Sequence, residues 1–402
     1  MDKKILSDRL LSMTVSATLE MTSRSRELKD KGYDVIALSI GEPDFNTPEP
    51  IKAAAKEAID NNITHYPPVP GFPEVREAIA QKLKRDNGVG FKASQVVISN
   101  GAKQSIANVF LCILNEGDEV IAPAPYWVSY PSMIKMAGGK TVVVEAGIET
   151  DFKVLPGQIE EAITERTKAF LFNSPNNPTG TVYTKEEMEA IARVFEKYPD
   201  ILIISDEIYE YNLFEGEHIS LASFDSIKNQ VAIINGVSKG YAMTGWRIGY
   251  VAAPQVIADA CNKVQGQYTS GAGSVSQMAA LEAISTDPKQ SADLKMMVAA
   301  FKERRDLLIG LLEDIPGFVT NKPNGAFYLF PDVSYYYGKS DGTTTISNSN
   351  DLCLYLLDKA HVALVPGEAF GSPQCIRISY ATSKEQITEA MSRMAAILKN
   401  LK

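Results

Sequence analysis

Gly236-Val237-Ser238-Lys239-Gly240-Tyr241-Ala242-Met243-Thr244-Gly245-Trp246-Arg247-Ile248-Gly249 sets one lysine among small residues and follows it, eight positions on, with an arginine between apolar neighbours. The apolar run Val231-Ala232-Ile233-Ile234-Asn235 precedes this stretch and Ile248-Gly249-Tyr250-Val251-Ala252-Ala253 closes it, so the region reads as strand, loop, strand. An amine on a glycine-flanked loop at the end of a buried strand is poorly solvated, and desolvation lowers a lysine pKa below its usual value of about 10.4. A neutral amine can attack a carbonyl. Taken alone, a lysine in a Gly-rich loop is more often a surface residue beside a turn, so its surroundings must decide.

Outward from this loop, strands and helices alternate. Asp34 to Ile40 is a strand-like run ending in Gly41-Glu42-Pro43-Asp44-Phe45; Thr47-Pro48 then predicts an N-cap and N1 proline for a helix to about Ile59. Phe72-Pro73 opens a second helix, with Val75, Ile79 and Leu83 on one face and Gly88 as its stop. Val96 to Ser99 leads through Asn100-Gly101-Ala102-Lys103 into a helix ending near Leu114, and Glu119 to Ala122 leads through Pro123 and Pro125 to Tyr126-Trp127. Thr141 to Val144, Ala169 to Phe172, a helix opened by the capping box Thr184 to Glu187, and Ile201 to Ile204 follow. Continuous apolar strands spaced by helices predict an α/β fold whose mostly parallel sheet is covered on both faces. After about residue 290 the pattern changes to a long helix, Leu294 to Glu313, then Gly325 to Phe330, a polar surface loop over 334–350, Ile376 to Tyr380 and an amphipathic C-terminal helix. We expect residues 46–290 to form a large domain, 291–402 a smaller α+β domain, and 1–45 a segment that joins the smaller one.

The 402 residues exceed one ordinary core. Hydrophobic residues at 45%, charged residues at 22% and a net charge of -9 argue against a nucleic-acid surface and leave small molecules or proteins as partners. Cys112, Cys261, Cys353 and Cys375 lack any metal-ligand spacing and read as reduced thiols. His65, His218 and His361 are scattered, so no metal site is expected. With no apolar leader near Met1 and no long apolar span, the expected location is the cytoplasm.

In open α/β sheets ligands gather at the carboxyl ends of the strands, and Asp206, with Glu207 and Tyr209 beyond it, closes one. A strand ending in Asp-Glu also suits a phosphate-loop ATPase, but no GxxxxGK[ST] occurs, and no GxGxxG follows a strand to support a nicotinamide site. Asn100-Gly101-Ala102-Lys103, at a helix start, offers backbone N–H groups to an anion, which Arg247 and the Ser238 hydroxyl can also contact. Arg377 lies between Ile376 and Ile378, where a guanidinium needs a partner; a structural ion pair is the plain alternative to a bound carboxylate. For Asn177 the plain alternative is an Asn-Pro turn, and for Trp127 a core position.

Gly41-Glu42-Pro43, His65-Tyr66, Gly101-Ala102-Lys103, Tyr126-Trp127, Asn176-Asn177-Pro178-Thr179-Gly180, Asp206-Glu207-Ile208-Tyr209, Ser238-Lys239, Arg247 and Arg377 stand in the order found in class I aminotransferases of the pyridoxal phosphate fold type I superfamily. The chain resembles that family over nearly its whole length, and most of all the bacterial aspartate aminotransferases of subgroup Iβ. The resemblance implies a large cofactor-binding domain, pyridoxal 5'-phosphate as cofactor, and a cytoplasmic homodimer with shared sites. Lys239 would hold the cofactor covalently and shuttle the α-proton, and Asp206 would keep the ring nitrogen protonated. Tyr209 and Asn177 would bond the ring O3', Trp127 would cover the ring, and Gly101, Ala102, Lys103, Ser238 and Arg247 would surround the phosphate. Tyr66 would reach the phosphate of a neighbouring subunit. Gly41, Trp127, Asn177 and Arg377 would contact the amino acid, and Lys103 its distal carboxylate.

The implied reaction is ping-pong transfer of an amino group from an L-amino acid, aspartate in the first place, to 2-oxoglutarate. Members that also accept prephenate carry a lysine in the N-terminal segment, aligned here with Thr14 of Ser12-Met13-Thr14-Val15-Ser16. That departure leaves prephenate among the alternatives, with aromatic amino acids, alanine and a related elimination reaction. A non-catalytic sensor with a DNA-binding head is disfavoured, because the run from Asp34 to Ile40 leaves no room for such a head before it.

Overall fold

Alternating side chains of the central strands divide between two apolar layers. The computed structural model describes residues 5–11, 13 and 17–402; Thr14 lies outside them. Its strands are β1 (Ile36–Ala37), β2 (Val96–Ser99), β3 (Glu119–Ala124), β4 (Lys140–Glu145), β5 (Thr167–Asn173) and β6 (Leu202–Asp206), then β7 (Val231–Gly236), β8 (Gly249–Ala252), β9 (Tyr328–Leu329), β10 (Val362–Ala363), β11 (Val365–Pro366) and β12 (Ile376–Ser379). The main sheet runs β2-β8-β7-β6-β5-β3-β4; it is parallel from β7 through β6, β5 and β3 to β4, with β8 antiparallel to both β7 and β2.

On this sheet Ile98, Phe170, Ile203 and Ile233 face one core, and Val97, Leu171, Ile204 and Ile234 face the other. The period of two explains why these runs are apolar throughout: both faces are buried, so no position is left for water. Helices Pro73–Asn87, Lys185–Phe195 and Ser274–Ser285 supply the first layer, Ala102–Ile113 and Gln255–Tyr268 the second. Gly88 ends its helix at φ 68, and Thr184 with Glu187 forms the capping box.

A third core gathers around the sheet β11-β12-β9 and the helices Ala292–Glu313, Ser349–Ala360 and Lys384–Leu398. Ile36 and Leu38 belong to it, since β1 pairs in parallel with β10.

Three local expectations need correction. Thr47 does not cap a helix: the next one is Glu49–Asp60, with Pro48 as N-cap, and the Thr47 hydroxyl donates to Ala242 O at 2.8 Å. The run from Asp34 to Ile40 contains a strand of only two residues: Leu38 N–H still donates to Ala363 O, but Leu38 O, the next carbonyl in line with β10, accepts instead from the Ser379 N–H of β12. The 334–350 stretch is not wholly surface, for Tyr336 and Ile346 are buried. No helix among the described residues is long and apolar enough to cross a membrane.

Candidate active site

A cavity of about 320 Å³ opens at the carboxyl ends of β5, β6 and β7. Its walls come from both sheets: Asn173 and Asp206 end β5 and β6, Ser238 and Lys239 follow β7, while Tyr328 and Arg377 stand on β9 and β12. Of the expected residues, Gly41, Ala102, Lys103, Trp127, Asn177, Asp206, Tyr209, Ser238, Lys239, Arg247 and Arg377 line it. Gly101 stands behind that wall, and Tyr66 is 96% exposed and lies outside it.

Asp206 is buried. Its Oδ2 accepts from the Tyr130 hydroxyl at 2.6 Å and its Oδ1 from the Ile208 N–H at 3.3 Å. Loss of water outweighs those bonds and raises its pKa to about 6. Asn173 ties the strand end to the neighbouring loop, donating to Asp206 O at 2.9 Å and accepting from the Asn177 N–H at 2.9 Å.

Lys239 Nζ donates to Gly41 O at 2.7 Å. Burial lowers its pKa to about 8, while the charge of Glu42 works the other way. The loop that carries it continues to Arg247, held at φ 58, a left-handed conformation that costs a non-glycine residue roughly 1–3 kcal/mol. The strain places the guanidinium on Thr244 O at 2.9 Å and Asn100 O at 3.2 Å. Here Gly101 has a steric reason: a Cβ on it would lie 2.2 Å from Arg247 Nη2, and its φ is 85. Beyond it begins the helix Ala102–Ile113, whose first N–H groups have no intrahelical acceptor by position. Lys103 sits over the Trp127 indole, Nζ 4.8 Å from the ring centroid, and desolvation followed by the Arg247 charge pushes its pKa down.

Arg377 is buried on β12. It donates to Asn177 Oδ1 at 3.0 Å and Ser39 O at 2.7 Å, and its Nε has no partner. The guanidinium lies 4.6 Å from the Tyr328 ring centroid. Asn177 in turn donates to the Tyr209 hydroxyl at 3.5 Å. The structural ion pair considered for Arg377 is therefore absent among the described residues, and its partners are neutral acceptors.

Sequence reasoning missed Tyr130, Asn173 and Tyr328. Tyr130 follows Tyr126-Trp127-Val128-Ser129 and opens the helix Tyr130–Met136; nothing in its neighbours distinguishes it from a core tyrosine. It also missed a buried cluster behind the lysine loop, in which Lys82 and Asn235 bond Glu210 and His218 bonds Glu207.

A lysine and a carboxylate at the strand ends of a mostly parallel sheet, with an arginine from a second sheet, give the cavity the charges to hold an anionic ligand that carries one cationic atom. The chain belongs to the aminotransferases of class I and II, whose family model matches residues 33–394. It is 45% identical over 399 residues to the bifunctional aspartate aminotransferase and glutamate/aspartate-prephenate aminotransferase of Petunia hybrida, covering 99% of this chain and 83% of that one. It is likewise 45% identical to the aspartate aminotransferase of Bacillus sp. (strain YM-2), over 99% and 100% of the two chains. The structure superposes on the aspartate aminotransferase from Rhizobium meliloti with a TM-score of 0.95 at 38% identity, each covered to 99%. For the Thermus thermophilus aspartate aminotransferase with maleate the TM-score is 0.92 at 41% identity, with 98% and 99% covered.

Proposed function

We propose that this aminotransferase uses pyridoxal 5'-phosphate to move the amino group of aspartate to 2-oxoglutarate. The observation that carries the reading is the charge layout. Lys103, Lys239, Arg247 and Arg377 line one cavity and none makes an ion pair among the described residues, while Asp206 is the carboxylate in its wall. Such a wall favours ligands with several anionic ends and one cationic atom.

The residues fit pyridoxal phosphate. The notch kept open by Gly101, the free helix N–H groups, Ser238 and Arg247 would hold its phosphate, Asp206 its ring nitrogen, Asn177 and Tyr209 its ring oxygen, and Lys239 its aldehyde carbon. When bound, the cofactor supplies an aldehyde for the amine and a ring that accepts the electron pair of the broken Cα–H bond. Arg377 holds the substrate α-carboxylate and Lys103 the distal one. Lys239, once free, takes and returns the α-proton at Nζ, and a pKa of about 8 makes both of its protonation states accessible near neutrality.

Relatives named for aspartate support that substrate, and the Petunia name adds prephenate, which an amino-acceptor assay with prephenate would test directly. We take 46–290 as the cofactor-binding domain and 291–402 as the small domain, with 1–45 joined to the latter, a division supported by the β1–β10 pairing. The exposed Tyr66 supports a homodimer in which it serves the second copy, and the four free cysteines support a cytoplasmic setting. Borohydride reduction of the protein with its cofactor, followed by peptide mapping, should place the pyridoxyl group on Lys239; a label on another lysine refutes the assignment.

A further inference from the structure

Tyr328 has no part in the assignments above, yet it touches three pieces of the site. Its side chain on β9 is fully buried, with the hydroxyl 2.8 Å from that of Tyr209. The Arg377 guanidinium lies over its ring. A Cβ on Gly41 would lie 2.8 Å from its oxygen, so the N-terminal segment passes this close only as glycine.

A phenol oxygen accepts two hydrogen bonds and donates one. The orientation of Asn177 is set by Arg377, which bonds its Oδ1, so the amide turns Nδ2 toward Tyr209 and can only donate there. The Tyr328 hydroxyl has Tyr209 as its hydrogen-bond partner among the described residues, and a buried hydroxyl proton without an acceptor is costly. When Tyr209 finds another acceptor, Tyr328 donates to it. Both acceptor positions of Tyr209 are then filled, and its own proton must point away from both neighbours, into the cavity.

We infer that Tyr328 is a positioning residue: together with Asn177 it aims the Tyr209 proton at the bound ligand, and since both also touch Arg377 they convey carboxylate binding there to Tyr209. The inference rests on the reading that Tyr209 faces the cofactor ring oxygen. Burial keeps both phenols protonated by raising their pKa values, and the other titratable groups around Tyr209 are Arg377 on β12, Asp206 on β6, Tyr130 and Lys239, whose Nζ is 5.9 Å from its ring centroid.

The test compares Tyr328→Phe, Tyr209→Phe and the double variant, all as holoenzymes, by titrating the cofactor absorbance against pH with and without succinate, a non-reacting dicarboxylate. Phenylalanine fills the same volume, and folding is checked by circular dichroism and by the Kd for the cofactor. Losing a donor to Tyr209 weakens the bond that Tyr209 makes to the ring oxygen, which keeps more negative charge and favours the protonated chromophore. We expect Tyr328→Phe to raise the midpoint by about 0.5 to 1 pH unit and to shrink its response to succinate. In the Tyr209→Phe background the same change should do nothing. If Tyr209→Phe moves the midpoint and Tyr328→Phe does not, or shifts it equally in both backgrounds, the coupling is refuted. If Tyr209→Phe leaves the midpoint in place, the placement of Tyr209 against the cofactor is itself refuted.

Discussion

Phenylalanine in place of Tyr130 removes one oxygen and asks what keeps Asp206 ready to ionise. The carboxylate has two donors, Tyr130 at 2.6 Å and the longer Ile208 N–H bond at 3.3 Å, set against a burial cost that raises its pKa from 3.8 to about 6. A hydrogen bond to a charged group contributes roughly 1.5–3 kcal/mol, or about one to two pKa units. In cofactor-free Tyr130→Phe, Asp206 should therefore titrate about one to two units higher than in the wild type. A carboxyl whose folded pKa lies above its unfolded value binds more protons folded than unfolded, so its stabilising effect is complete at low pH and fades as pH rises from the unfolded to the folded pKa. For the wild type that loss is about 3 kcal/mol, complete a little above pH 6. The variant should go on losing stability to about pH 8. Urea unfolding of the two cofactor-free proteins at pH 5 and pH 8 reads the difference directly. At pH 8 the variant should be weaker by about 1.5–3 kcal/mol, at pH 5 by about 1 kcal/mol or less, because the neutral acid needs its donor less. Equal losses at both pH values would mean that only packing was disturbed, and the account of Asp206 would fall.

Since burial lowers Lys239 to about 8, its amine is increasingly neutral above that pH; capture of pyridoxal phosphate by the cofactor-free protein, followed by absorbance, should quicken with a midpoint near 8. Arg377→Lys keeps the charge but cannot bond Asn177 and Ser39 together while gripping a carboxylate, so KM should rise by about 30- to 100-fold for every amino acid, roughly 2–3 kcal/mol. Lys103→Ala should cut kcat/KM for aspartate by about one to two decades, roughly 1.5–3 kcal/mol, and barely change it for alanine; an equal loss for all amino acids with weaker cofactor retention would assign Lys103 to the phosphate instead. The proposed homodimer, with Tyr66 serving the second copy, predicts that mixing Tyr66→Ala and Lys239→Ala chains recovers part of the activity that each variant lacks, and confirmed hybrids without recovery would exclude a shared site.

Elements buried on both sides were legible because burial removes ambiguity. Ile201 to Ile204 and Val231 to Ile234 sit between two apolar layers and leave no polar position to blur the strand. Arg377 could be singled out for the converse reason, a charge between two isoleucines. Tyr130 and Tyr328 could not, because each matters through a partner far away in sequence: Tyr130 meets Asp206 across 76 positions, and Tyr328 meets Tyr209 across 119. A buried tyrosine in a core and a buried tyrosine on a carboxylate have the same local sequence, and only tertiary contact tells them apart.

The segment after β1 explains both a misread element and a property of the site. Leu38 N–H still donates to Ala363 O beyond Ala37, but Leu38 O accepts from the Ser379 N–H of β12, and further along the carbonyls of Ser39 and Gly41 meet cations of the site. Ser39 O accepts from Arg377 and Gly41 O from Lys239, with Glu42 on Thr244 and Asp44 on Arg304 completing the attachment. The lysine between β7 and β8 and the arginine of the smaller sheet are thus both bonded to one strip of backbone. Carbonyls are well suited to this, since a buried cation left bare is costly, whereas a carboxylate beside it would compete with an anionic ligand for the same charge. A carbonyl carries only a partial charge, so Arg377, while bonded to Ser39 O and Asn177 Oδ1, keeps its Nε N–H and most of its charge for an incoming carboxylate. Lys239, Arg247 and Arg377 all donate to neutral acceptors, so each is held in place while its charge stays available to the anions the site attracts.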